Sequence, residues 1–341
     1  MVRCASKTAW SSSLSGAVNA PVWCDWNDNQ SRRAGHCQKA KDSKLKTTIL
    51  IYGRSGAGKS AQIGELSEHE FVTNGKITRL YTADKGGVKV IQPHIDAGLI
   101  EVVAIEDTDP WVFLNAASLG KTRQSGKWIL DAKANDKIGC WAFESMRAFA
   151  ENLKGNMAEM AGKGVNIGGG SNINFSVSGD GETLKVSGSN MAHYGVAQDR
   201  MTAEIWRSLK LPGDYVVWTS SVSKDEDINS GGKVIGPDVI GKALTTETPR
   251  WFDLTYRIDV LPASGTQPER HVLFLGNHVD TGAGGAAGLG NIRLPLDADK
   301  LAVTIIEPAS IKKALELVEA SSKTAFAKLQ ARLGGKLPTK G

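Results

Sequence analysis

The octet Gly53-Arg54-Ser55-Gly56-Ala57-Gly58-Lys59-Ser60 constrains this chain more than any other feature. It matches the spacing G-x-x-x-x-G-K-[ST] without a departure, and its surroundings are those such a loop requires. Upstream, Thr47–Tyr52 is a β-branched and apolar run of the kind found in a strand buried on both faces. Downstream, Ser60–His69 reads as a helix. Glycines let the backbone curl so that successive N–H groups point at phosphates, and the helix start adds partial positive charge. A plain glycine turn accounts for the glycines but not for Lys59 and Ser60 together. The octet therefore predicts an ATP site: Gly53 to Ser60 cradle the phosphates, Lys59 reaches the β- and γ-phosphates, and the Ser60 hydroxyl ligates Mg²⁺.

The rest of the chain reads as an α/β protein with a mainly parallel central sheet flanked by helices. Further strands are expected at Ile77–Thr82, Leu99–Ile105, Lys137–Phe143 and Tyr215–Ser220, with helical segments between them. A helix over Ser145–Met160 carries Met146, Phe149, Leu153 and Met157 at steps of three and four. Residues 161–192 break the rhythm; a Gly-Asp-Gly between alternating runs marks a β-hairpin insertion. A helix is expected at His193–Leu209, then antiparallel strands at Trp251–Val260 and His271–Gly276 and a glycine loop at Gly282–Gly290. The domain so defined spans 46–307, and 308–341 form a C-terminal amphipathic helix, over Pro308–Leu333, and tail.

Residues 1–45 differ in character. They hold Cys4, Cys24 and Cys37, a basic stretch from Arg32, and no helical or strand period. The paired spacing of a zinc site is absent, and the segment reads as a disordered basic extension. Lys plus Arg exceed Asp plus Glu by 41 to 36, a net charge of +5 that suits a nucleic-acid partner without demanding one. No apolar run reaches the ~18 residues of a membrane span. No membrane partner is expected, and the first twenty residues lack the hydrophobic core of a secretory signal. A cytoplasmic protein is the expectation.

ATP hydrolysis needs acids besides the loop. Ile138–Phe143 ends in Glu144-Ser145, where a carboxylate can hold the Mg²⁺ shell or cap the helix that follows; both can hold at once. Asp84, ending Tyr81-Thr82-Ala83-Asp84, either reaches the water that attacks the γ-phosphate or forms a turn before Lys85-Gly86-Gly87. The run Val216–Ser221 would deliver hydroxyls to the same sheet edge, where ligands bind in open α/β sheets.

On ILIYGRSGAGKS, YTADKGG, WAFES and the block from DYVVWTSSVSKDED to PRWFDLTYRIDV, the chain resembles the RecA-like P-loop ATPases, in particular compact phage-type proteins of single-strand annealing and recombination. The likeness covers about residues 46–295. It implies Mg²⁺-dependent ATP hydrolysis with Asp84 activating water and Glu144 at the metal, action on single-stranded DNA in phage recombination, repair or replication, and a homo-oligomer. It also implies the host cytoplasm and a DNA-contacting segment at Ser223–Val234. A trans-acting arginine would then be Arg250 or Arg293. Three other readings stay open: a viral packaging or assembly ATPase, a small-metabolite kinase, and a non-hydrolysing nucleotide-gated interaction module.

Overall fold

The computed structural model describes residues 46–84, 86–105, 109–162, 173–179, 182–188, 191–226, 233–261, 270–275, 287–288 and 304–332. The expected extension 1–45, Arg293 and most of the Gly282–Gly290 loop lie outside the described residues.

The chain opens with β1 (Thr47–Gly53), α1 (Lys59–Asn74) and β2 (Ile77–Thr82), then a 3₁₀ turn over Gly87–Ile91 leading into α2 (Gln92–Asp96). Next come β3 (Ile100–Ala104), α3 (Pro110–Ser118), the small hairpin β4 (Thr122–Gln124) and β5 (Lys127–Ile129), α4 (Ala132–Asn135) and β6 (Ile138–Glu144). α5 (Met146–Gly162), a hairpin of β7 (Ile173–Gly179) and β8 (Glu182–Gly188), α6 (Met191–Ser208) and β9 (Tyr215–Ser220) follow. A second hairpin, β10 (Val222–Glu226) and β11 (Lys233–Pro237), precedes α7 (Lys242–Glu247), a 3₁₀ turn over Thr248–Trp251 and β12 (Leu254–Leu261). The chain closes with β13 (Arg270–Leu275), β14 (Ala287–Gly288), β15 (Thr304–Ile306) and α8 (Ile311–Arg332).

Eight strands form the central sheet in the order β15-β13-β12-β1-β9-β6-β2-β3. Only β13 runs against the others, since it pairs antiparallel with both β12 and β15. The expected antiparallel pairing of β12 with β13 is present, but β12 also pairs parallel with β1, Gly53 opposite Ile258. Periodicity had no means of showing that partner, which lies about two hundred residues away. The expected hairpin is present as β7 and β8, which form a separate two-stranded sheet. From β1 the chain crosses β9 and β6 to reach β2, whereas after β9 it returns past β1 to β12. Connections that leave in opposite directions open a crevice at the carboxyl ends of these strands.

Period-2 alternation with both faces apolar explains the layers. Ile49 and Ile51 of β1, Val217 of β9 and Tyr256 of β12 pack with Leu66 of α1 and Ile311, Leu315 and Val318 of α8. Leu50, Trp141, Phe143 and Trp218 point the other way, into Phe113 of α3, Phe149 and Leu153 of α5 and Met201 and Ile205 of α6. Phe143 and Trp218 stack with ring centroids 4.4 Å apart, fixing β6 against β9. Among the described residues no helix is long and apolar enough to cross a membrane.

Candidate nucleotide site

β1 enters the loop fully buried, and the loop is possible because of what its glycines omit. A Cβ on Gly53 would lie 2.2 Å from the Ile258 carbonyl oxygen of β12. Gly56 and Gly58 have φ of 77° and 98°, the left-handed region that other residues enter at a cost. Gly58 is the N-cap of α1, and no side chain caps that helix start. Its first N–H groups are therefore directed at the loop, an arrangement suited to an anion. Arg54, Ser55 and Gly56 are exposed, while Ala57 is buried beneath them.

Lys59 bends back over the loop and donates from Nζ to the carbonyl oxygens of Gly53 (3.0 Å) and Arg54 (2.8 Å). Partial burial pulls its ammonium below the usual lysine range, against the opposing pull of the Glu144 and Asp84 carboxylates. The Ser60 hydroxyl donates to Oε1 of Glu144. Glu144 ends β6 and is buried, and its other carboxylate oxygen, Oε2, has no hydrogen-bond partner among the described residues. Burial pushes this carboxyl up, Asp84 adds to the rise, and Ser60 and Lys59 oppose it. A hydroxyl beside an ionisable carboxylate with a spare, buried oxygen is the hard-oxygen donor pair that Mg²⁺ takes alongside phosphate and water. No group of three or more His, Cys, Asp or Glu able to hold a metal occurs among the described residues, so an all-protein cage is not offered.

Glu144 does not cap α5. Ser145 does, its Oγ accepting from the Ala148 N–H at 3.2 Å, which leaves the Glu144 side chain turned toward Ser60. Asp84 is exposed and makes the turn its position allows, with Oδ1 accepting from Gly86 N–H at 2.8 Å. It is nonetheless close enough to act electrostatically on both Lys59 and Glu144. The hydroxyls at the end of β9 are already engaged. Thr219 Oγ1 accepts from Ser145 N–H (2.9 Å) and Ser220 Oγ donates to the Asp238 carbonyl (2.8 Å).

Several neighbours of the site carry no sequence signal of their own. A Cβ on Gly87 would lie 2.4 Å from Glu144 Oε1, so the 3₁₀ turn after β2 seats directly on the carboxylate. Asp259 on β12 pairs with Arg257 and lies 3.7 Å from Arg54. His271 of β13 hydrogen-bonds the Ala57 carbonyl through Nδ1 at 3.0 Å. Gly86-Gly87 behind an acid was the one visible clue; the others depend on pairing across the sheet. Arg250 is exposed in the turn entering β12, beside the start of β1 and away from the loop at its far end. It is out of reach of its own chain's loop.

No protein-family model matches this chain, and no curated protein matches it.

Proposed function

We infer that this chain is a Mg²⁺-dependent ATPase of RecA-like type that acts on single-stranded DNA as a homo-oligomer, in phage recombination, repair or replication. One observation carries the reading: Lys59, Ser60 and Glu144, from elements 84 residues apart, meet at the carboxyl edge of the sheet, with Ser60 bonded to Glu144. The loop N–H groups and Lys59 would bind the phosphates, with Lys59 exchanging its bonds to the Gly53 and Arg54 carbonyls for phosphate oxygens. Ser60 and Glu144 would hold Mg²⁺, which when bound neutralises charge on the β- and γ-phosphates. Asp84 stands beside this pair as the candidate base, accepting a proton from the attacking water. The β10–β11 hairpin is the candidate DNA contact by its place, since it follows directly on the end of β9; its charge is mixed, Lys224 and Lys233 standing beside Asp225, Glu226 and Asp227.

ATP turnover measured without DNA, with single-stranded DNA and with double-stranded DNA tests the reading. Turnover raised by single strands is expected. Turnover indifferent to DNA would remove the DNA partner. Binding of ATP with no turnover under any condition would leave a nucleotide-gated module.

A further inference from the structure

Ser145 has φ of +69° and is not glycine, and it directly follows Glu144. An L-residue in that region pays for it, and such strain persists only where the surroundings enforce it. Here the enforcing group is visible. The Ser145 N–H donates to Oγ1 of Thr219, a buried side chain on the next strand of the sheet, at 2.9 Å. Trp218 pairs with Phe143 across β9 and β6, so Thr219 sits level with Glu144, and its alternation with Tyr215 and Val217 puts it on the α1 side. The left-handed turn reverses the chain between β6 and α5 within one residue. It lets Ser145 cap α5 while the Glu144 side chain faces Ser60.

We propose that Thr219 is a positioning residue. By accepting the Ser145 N–H it holds the left-handed turn that aims Glu144 at the Ser60 hydroxyl. The proposal rests on the ATPase reading for its effect on turnover but not for its effect on the turn. The same strand end leads into the β10–β11 hairpin, whose base is tied to it by Ser220 Oγ on the Asp238 carbonyl and by Asp238 N–H on the Ser221 carbonyl. Asp238 in turn pairs with Arg147 in the first turn of α5. The base of the hairpin is thereby joined to the first turn of α5, next to the turn that carries Glu144.

The test uses the full chain and two readouts. In the nucleotide-free protein, hydrogen exchange at the Ser145 amide is measured for wild type, Thr219→Val and Thr219→Ser. With ATP and Mg²⁺, kcat and KM are measured for the same proteins and for Thr219→Val combined with Ser145→Gly. Thr219→Val is expected to speed amide exchange and to lower kcat about tenfold, the effect of roughly one left-handed penalty, with KM little changed. Thr219→Ser keeps the acceptor and should restore both. Adding Ser145→Gly to Thr219→Val should recover kcat, because glycine holds φ > 0 unaided. If Thr219→Val does not fold, Thr219→Ala takes its place, alone and combined with Ser145→Gly: the single variant should exchange faster at the Ser145 amide and turn over about tenfold more slowly than wild type, and the added glycine should recover kcat. Three results overturn the proposal: unchanged amide exchange in the Thr219 variant that lacks the acceptor, unchanged kcat in that variant, or a double variant with Ser145→Gly no faster than it. Absence of turnover in wild type would refute the ATPase reading while leaving amide exchange to judge the turn.

Discussion

At the scale of single residues, the site places a charge where burial opposes it. Glu144 is held against a desolvation penalty, and its carboxyl lies above the ordinary value in the folded chain. An acid whose folded pKa is raised stabilises the fold below its unfolded pKa, and that contribution is lost as pH rises through the folded one. In the nucleotide-free protein, Glu144→Gln is therefore expected to match or exceed the wild-type thermal midpoint at ~pH 8, with the difference closing toward ~pH 4. A variant less stable than wild type at ~pH 8 would show instead that the Ser60 and Lys59 contacts outweigh burial. The same variant should lose turnover, because an amide cannot serve as the anionic metal ligand. Glycine 87 belongs to the same economy of space, since only the absence of a side chain there leaves room for the carboxylate.

At the scale of elements, aromatic stacking sets the relation between the two strands that carry the acid and its clasp. Trp218 stacks on Phe143 and meets Phe149 of α5 edge-on at 5.7 Å, and its indole N–H donates to Ser208 Oγ of α6. Thr219 follows Trp218 directly. Trp218→Ala is expected to cost about 3–5 kcal/mol in denaturant unfolding and to lower turnover in whatever folds. A loss under about 1 kcal/mol would mean that the sheet is registered by other contacts. Much at this scale was legible from the residues alone. Ile77–Thr82 and Tyr215–Ser220 stand where the apolar runs put them, and the strand expected over Lys137–Phe143 is found at Ile138–Glu144. What the sequence concealed is non-local. The parallel partner of β12, the clasp from Thr219 to Ser145 and the approach of Gly87 to Glu144 join residues whose spacing obeys no period. The C-terminal helix was visible as amphipathic; among the described residues its buried apolar contacts come from the first turns, Ile311 to Val318, while Phe326 is exposed.

At the scale of the whole molecule, the described residues from 46 onward supply the eight-stranded sheet and helices on both of its faces. Removing residues 1–44 should leave a chain with a cooperative thermal transition and unaltered ATP affinity; aggregation, or a midpoint shift of more than about 5 °C, would contradict this. The crevice opened by diverging connections beside β1 is where the topology directs a ligand, and it is the place to which Lys59, Ser60 and Glu144 are delivered. Titration of ATP with Mg²⁺ into the full chain, beside the same titration into Lys59→Ala, tests that claim most directly. Saturable binding to wild type that is greatly weakened in a folded Lys59→Ala protein is the expected result. Binding of equal strength in both proteins, or none in wild type, would contradict it.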